Sequence, residues 1–213
     1  MSSPFALPRI YPILDAASLA LAGISLESFA LEWRGAGIRF LQYRDKNSPD
    51  AAFVEQAHRL RQIFPSVDST LILNDRAHLC IAARSDGIHI GQQDGAPSAA
   101  RDWIGPTRCL GLSTHNEKQL VEASGSPVDY IAIGPVFGTA SKTNPDPAVG
   151  LAGIRTARAL TTKPLVAIGG INLENAQSVF DAGADSIALI AALLPTPGYT
   201  TGKVIEEFLA RVE

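Results

Sequence analysis

Short apolar, β-branched runs recur along the chain, each ending on polar residues and each followed by a stretch with helical spacing. The runs cover residues 9–15, 39–44, 70–74, 87–92, 108–113, 130–135, 165–169 and 186–193. Strands of a parallel sheet, covered on both faces, read as unbroken apolar runs of this length. Between them, apolar residues recur three and four apart over 26–36, 50–64, 77–83, 117–123, 150–160, 173–182 and 202–211, with a weaker pattern at 97–103. Ser25, Asn116 and Asn172 stand where helix N-caps belong. Strands and helices alternating eight times predict an α/β fold, a (β/α)8 TIM barrel near its lower size limit, as one domain over residues 1–213. An open doubly wound sheet shares the alternation, but the count and the lack of Gly-x-Gly-x-x-Gly after the first strand favour the barrel.

Composition narrows the function classes. The chain has 213 residues, 46% of them hydrophobic and 18% charged, enough for one sizeable core. A net charge of −3 argues against a nucleic-acid partner held by charge. No basic N-terminal region precedes an apolar stretch, and no apolar run approaches about 18 residues, so no membrane partner and a cytoplasmic location are expected. Cys80 and Cys109 lie in apolar runs without metal-ligand or redox spacing and read as buried thiols. Nothing here fixes an oligomeric state, and a homo-oligomer stays open.

The candidate chemistry collects where the apolar runs stop, which in a barrel is the functional end. In Leu41-Gln42-Tyr43-Arg44-Asp45-Lys46, alternation sends Gln42, Arg44 and Lys46 to one side. Cations facing a barrel interior need anions, so this set predicts a polyanion site. Asn74 and Asp75 end the third run and Asp94 follows the fourth. Asp75 also fits a helix cap and Asp94 a turn. Neighbouring strands lie about 5 Å apart, so both carboxylates can reach one cation, and an oxygen shell with few protein ligands suits Mg²⁺. A zinc site is disfavoured, because His58, His78, His89 and His115 are scattered; His89, between Ile88 and Ile90, reads as a satisfied interior residue. Ser113 and Thr114 offer hydroxyls at the fifth strand end. Residues 133–150, rich in Gly, Pro and hydroxyls and with Lys142, read as an ordinary loop or, more sharply, as a lid over a substrate. Gly169-Gly170 before Asn172 suits backbone approach to a phosphate at a helix N-terminus. Two anion sites side by side suit transfer of a group from a diphosphate to a phosphorylated acceptor.

These motifs, in this order, resemble the thiamine-phosphate synthase family from about Tyr11 to Leu193. Gln42-Tyr43-Arg44-Asp45-Lys46 is similar to the family's Gln-Leu-Arg-Glu-Lys, and Asn74-Asp75-Arg76 to its Asn-Asp-Arg. Gly87-Ile88-His89-Ile90-Gly91-Gln92-Gln93-Asp94 resembles Gly-Val-His-Leu-Gly-Gln-x-Asp, and Gly134-Pro135-Val136-Phe137 with Thr139, Ser141 and Lys142 resembles Gly-Pro-Val-Phe-x-Thr-x-Thr-Lys. Ala167-Ile168-Gly169-Gly170-Ile171 completes the series.

The resemblance implies transfer of a hydroxymethylpyrimidine group from its diphosphate to the nitrogen of a thiazole phosphate, with Mg²⁺ as cofactor. It implies that Gln42, Tyr43, Arg44, Asp45, Lys46, Asn74, Ser113 and Lys142 surround the pyrimidine diphosphate. Arg44, Lys46, Ser113 and Lys142 would be catalytic, Asp75 and Asp94 would hold the metal, and Thr139, Ala140, Ser141, Gly170, Ile190 and Ala191 would surround the thiazole phosphate. Ser186 and Ala191 depart from the family's usual Gly and Ser, and the lost hydroxyl at Ala191 bears on thiazole affinity. Two rivals remain: a thiazole tautomerase, whose branch has a histidine where this chain has Pro135, and a non-catalytic ligand-binding barrel. The intact cationic and carboxylate sets count against both.

Overall fold

Strand β1 (Ile10–Asp15) pairs in parallel with β2 (Phe40–Arg44) on one side and with β8 (Ser186–Leu189) on the other, so the sheet closes into the expected barrel. Between them run β3 (Thr70–Asn74), β4 (Gly87–Ile90), β5 (Cys109–Thr114), β6 (Tyr130–Ile133) and β7 (Leu165–Ile168), each parallel to its sequence neighbours. The computed structural model describes residues 6–138, 146–196, 198 and 200–212. Among these, no helix is long and apolar enough to cross a membrane.

Helices α2 (Leu26–Gly35), α3 (Asp50–Ile63), α4 (Pro97–Ile104), α5 (Glu117–Ser124), α6 (Gly150–Leu160), α7 (Ala176–Asp181) and α8 (Thr201–Val212) ring the barrel. Ser25 and Asn116 cap α2 and α5 through their side chains, as the sequence predicts. Three details differ from expectation. An extra helix, α1 (Ala16–Leu21), directly follows β1 and is capped by Asp15, whose carboxylate accepts the Ser18 N–H at 2.8 Å. Asn172 caps no helix: its side chain closes a turn on the N–H groups of Glu174 and Asn175, and α7 begins afterwards. The stretch 77–83 makes only a 3₁₀ turn, Ala77–Leu79, after Asp75 and Arg76 leave β3 with φ of +57° and +43°.

Burial follows the alternation of each strand. One face packs outward on the helices: Leu41, Tyr43, Leu71, Leu73, Ile88 and Ile131 join Trp33, Phe53 and Phe64 there. The other face fills the barrel with a smaller cluster built on Tyr11, Phe40, Ile72 and Tyr130. Cys80 and Cys109 are buried free thiols.

Candidate active site

The C-terminal strand ends open into a cavity of about 340 Å³. Apolar side chains of Ile13, Ala132, Val166, Ile168 and Ala188 line part of it, leaving the polar groups to set its chemistry. Gln42 and Arg44 face it, as alternation along β2 requires, and Lys46 faces it from the turn after the strand. The same alternation turns Tyr43 away. Tyr43 is buried against the helices, stacked on Phe53 with ring centroids 4.7 Å apart. Asp45 is likewise outside the cavity lining; its carboxylate accepts the N–H groups of Asn47 and Ser48 and closes the turn after β2. The structure therefore places Tyr43 and Asp45 in packing and turn roles, apart from the pocket that the resemblance assigned them to.

Arg44 does not stand alone. Its guanidinium pairs with the Asp15 carboxylate, which is buried at the adjacent end of β1 and also accepts the Ser18 hydroxyl at 2.6 Å. Asp15 thus caps α1 and fixes a cation over the cavity. In the sequence Asp15 reads only as the end of a strand; the signal for its role is its register beside Arg44 across the β1–β2 pair.

Asp75 and Asp94 come together from consecutive strand ends, each lining the cavity. The Asp94 carboxyl lies within hydrogen-bonding reach of Asp75, while Lys46 Nζ lies 3.2 Å from Asp75 Oδ2. Burial and then the neighbouring carboxyl push Asp75 up to about 6. Asp94 is also the turn residue its context suggests, accepting the Gly91 N–H at 2.7 Å. Asp75 caps nothing. No group of three or more His, Cys, Asp or Glu side chains assembles a metal centre among the described residues. Two oxygen donors that repel each other, with room beside them for waters and a phosphate, fit a hard divalent cation that keeps most of its shell from elsewhere.

Asn74 and Ser113 also face the cavity, and Ser113 Oγ lies 2.8 Å from His89 Nε2. Thr114 does not contribute its hydroxyl, which donates to the Ala132 carbonyl at 2.9 Å. His115, not singled out from sequence, lines the cavity with Nδ1 2.6 Å from the Gly134 carbonyl. Across the mouth stand Gly170, Ile190 and Ala191. Gly169 and Gly170 have φ of +103° and +65°, and a Cβ on Gly170 would fall 2.5 Å from the Gly138 carbonyl oxygen. These glycines let the β6 and β7 loops pack together, with Phe137 N–H donating to the Gly169 carbonyl at 3.0 Å. The expected helix N-terminus is not at this turn, since α7 starts at Ala176. Thr139, Ala140, Ser141 and Lys142 lie outside the described residues.

Comparison with known proteins bears on what this arrangement serves. A profile of the thiamine monophosphate synthase family matches residues 10–193. A thiamine-phosphate synthase of Koribacter versatilis is 50% identical over 203 residues, covering 92% of this chain and 94% of that protein. One from Vibrio campbellii is 40% identical over 157 residues, with 74% and 77% covered. Among solved structures, a thiamine phosphate pyrophosphorylase from Pyrococcus furiosus superposes with a TM-score of 0.83 at 28% identity, over 96% of this chain and 95% of that one. The chain belongs to the thiamine monophosphate synthase family and is an enzyme of the transferase class.

Proposed function

We propose that this chain transfers the pyrimidinylmethyl group of a hydroxymethylpyrimidine diphosphate to the ring nitrogen of a thiazole phosphate, releasing diphosphate and thiamine phosphate. The observation that carries the reading is the meeting of Arg44, Lys46, Asp75 and Asp94 around one cavity that is otherwise largely apolar. Asp75 and Asp94 would hold Mg²⁺, which when bound supplies positive charge to the departing diphosphate.

The chain's own residues do the rest. Arg44, held by Asp15, and Lys46 meet negative charge that builds on the leaving diphosphate as the carbon–oxygen bond breaks. Lys142 would add a third cation. Ser113 presents a hydroxyl to the same substrate, and Gln42 and Asn74 hydrogen-bond it. The apolar wall seats two aromatic heterocycles face to face and keeps water from the pyrimidinylmethyl cation until the thiazole nitrogen captures it. Gly170, Ile190 and Ala191, with Thr139, Ala140 and Ser141, would surround the thiazole phosphate. The transfer calls for no side-chain nucleophile, since the thiazole nitrogen itself attacks the carbon that the diphosphate leaves.

The test is a reaction of the purified chain with both substrates and Mg²⁺, following thiamine phosphate by chromatography. Product is expected only when both substrates and the metal are present. Tight binding of the thiazole phosphate without product would refute the synthase reading in favour of a binding barrel.

A further inference from the structure

Five side chains form one hydrogen-bond chain through the barrel interior. Gln42 Nε2 lies 2.9 Å from the Tyr11 hydroxyl, and the Tyr11 and Tyr130 hydroxyls lie 2.7 Å apart. The Tyr130 hydroxyl is 2.8 Å from His89 Nδ1, and His89 Nε2 is 2.8 Å from Ser113 Oγ. The links join residues up to 119 positions apart, so only closure of the barrel creates them. Both ends, Gln42 and Ser113, border the substrate cavity.

Counting protons fixes the direction of this chain. A hydroxyl has one proton to give, and a neutral imidazole has one N–H. Gln42 donates its amide N–H to the Tyr11 oxygen. Both phenols are buried, so each proton needs an acceptor: among the described residues Tyr11 has Tyr130 for its proton, and Tyr130 then has His89 Nδ1 for its own. His89 must then carry its own proton on Nε2 and donate it to Ser113 Oγ. Ser113 is left with its proton unspent on protein, since no other acceptor takes it among the described residues. At the other end the Gln42 carbonyl oxygen is left unspent among the described residues. The cavity therefore meets an acceptor at Gln42 and a donor at Ser113, the pair that an aminopyrimidine diphosphate requires of its surroundings.

We propose that Tyr130 is a positioning residue for the transfer: it holds His89 in the Nε2–H tautomer, and so commits the Ser113 proton to the substrate.

Two further observations support this. Burial, the main cause, raises the Tyr130 hydroxyl well above its ordinary value, so it remains a proton donor. The space around the Tyr130–His89 link is kept open by a glycine. A Cβ on Gly111 would fall 2.3 Å from the Tyr130 hydroxyl and 2.5 Å from His89 Nδ1. Any larger residue at that point of β5 would displace the link, and the two rings stack with centroids 5.4 Å apart.

The proposal takes from the synthase reading only the identity of the group that Ser113 serves. The tautomer belongs to the unliganded chain, and its measurement stands or falls separately. Two-bond proton–nitrogen correlation spectra of the ¹⁵N-labelled chain, assigned with His89→Gln, should show His89 protonated at Nε2 and bare at Nδ1. A wild-type spectrum with the proton on Nδ1 overturns the proposal, whatever the variants do. In Tyr130→Phe the pinned tautomer should give way to a mixture, and kcat should fall about tenfold with KM for the diphosphate substrate nearly unmoved. Ser113→Ala should then cost less in the Tyr130→Phe background than in the wild type, by about that factor. Losses that simply multiply would refute the coupling, and a Tyr130→Phe chain that does not fold leaves the wild-type spectrum to decide.

Discussion

Replacing Asp94 with Asn probes the carboxylate pair without relying on turnover. In the metal-free chain, burial and then the Asp94 carboxyl push Asp75 up to about 6 from an ordinary 3.8, against the opposing pull of Lys46. At about 1.4 kcal/mol per pKa unit, ionised Asp75 weakens the fold by roughly 3 kcal/mol near neutrality. Burial is the larger cause and survives the substitution, and Asp75 keeps some solvent contact, which screens the repulsion. Asp94's share is therefore on the order of 1 kcal/mol. Asn keeps an amide oxygen where Asp94 accepts the Gly91 N–H, so the turn is preserved. In EDTA at about pH 8, Asp94→Asn should melt about 2–4 °C above wild type. The sign follows from linkage. Asp75 holds its proton more tightly folded than unfolded, so its ionisation destabilises progressively as pH rises from 3.8 to about 6 and levels off above that. The variant's gain should be full above about pH 6 and largely lost by about pH 5. Mg²⁺ should raise the melting temperature of wild type more than that of the variant, and turnover should collapse in the variant. A variant that melts lower than wild type in EDTA at the higher pH would refute the reasoning, as would a gain equal at both pH values.

Two other substitutions test neighbouring parts of the structure. Asp15→Asn leaves the Ser18 cap an acceptor but deprives Arg44 of its counter-charge; a stability loss of about 2 kcal/mol in urea melts and a raised KM for the diphosphate substrate are expected. Ser186 is fully buried, and its hydroxyl has no hydrogen-bond partner among the described residues, so Ser186→Ala should raise stability by about 1 kcal/mol with kcat unchanged.

The barrel was legible because strand periodicity is local. Each apolar run is short, each polar residue that ends it lies at the functional rim, and the β2 alternation alone separates Gln42 and Arg44 from Tyr43. Motif resemblance blurred that distinction, since neighbours in a conserved-looking string need not share a face. What stayed hidden depends on closure or on backbone geometry. Helix α1 is one short stretch with no apolar period to read, and its cap is a residue already assigned to a strand. The left-handed step at Asp75 and Arg76, residues without glycine's freedom, gave no warning that the helical pattern after them would end as a single 3₁₀ turn.

The hidden parts are also the ones that orient the site. Arg44 draws its position from Asp15 on a different strand, and Ser113 draws its from His89, Tyr130, Tyr11 and Gln42 on four others. A cation or a hydroxyl at a strand end can be predicted from alternation, but its direction is set by a partner far away in sequence that the barrel brings beside it. Asp75 and Asp94 show the complementary case. Their approach disfavours the metal-free fold, so the surrounding core and ion pairs must hold them together until a ligand relieves the repulsion. Exchanging one carboxylate for an amide should thus strengthen the fold while disabling the site. A purely structural pair, or a helix cap and a turn placed together by chance, would not oppose stability to function in this way.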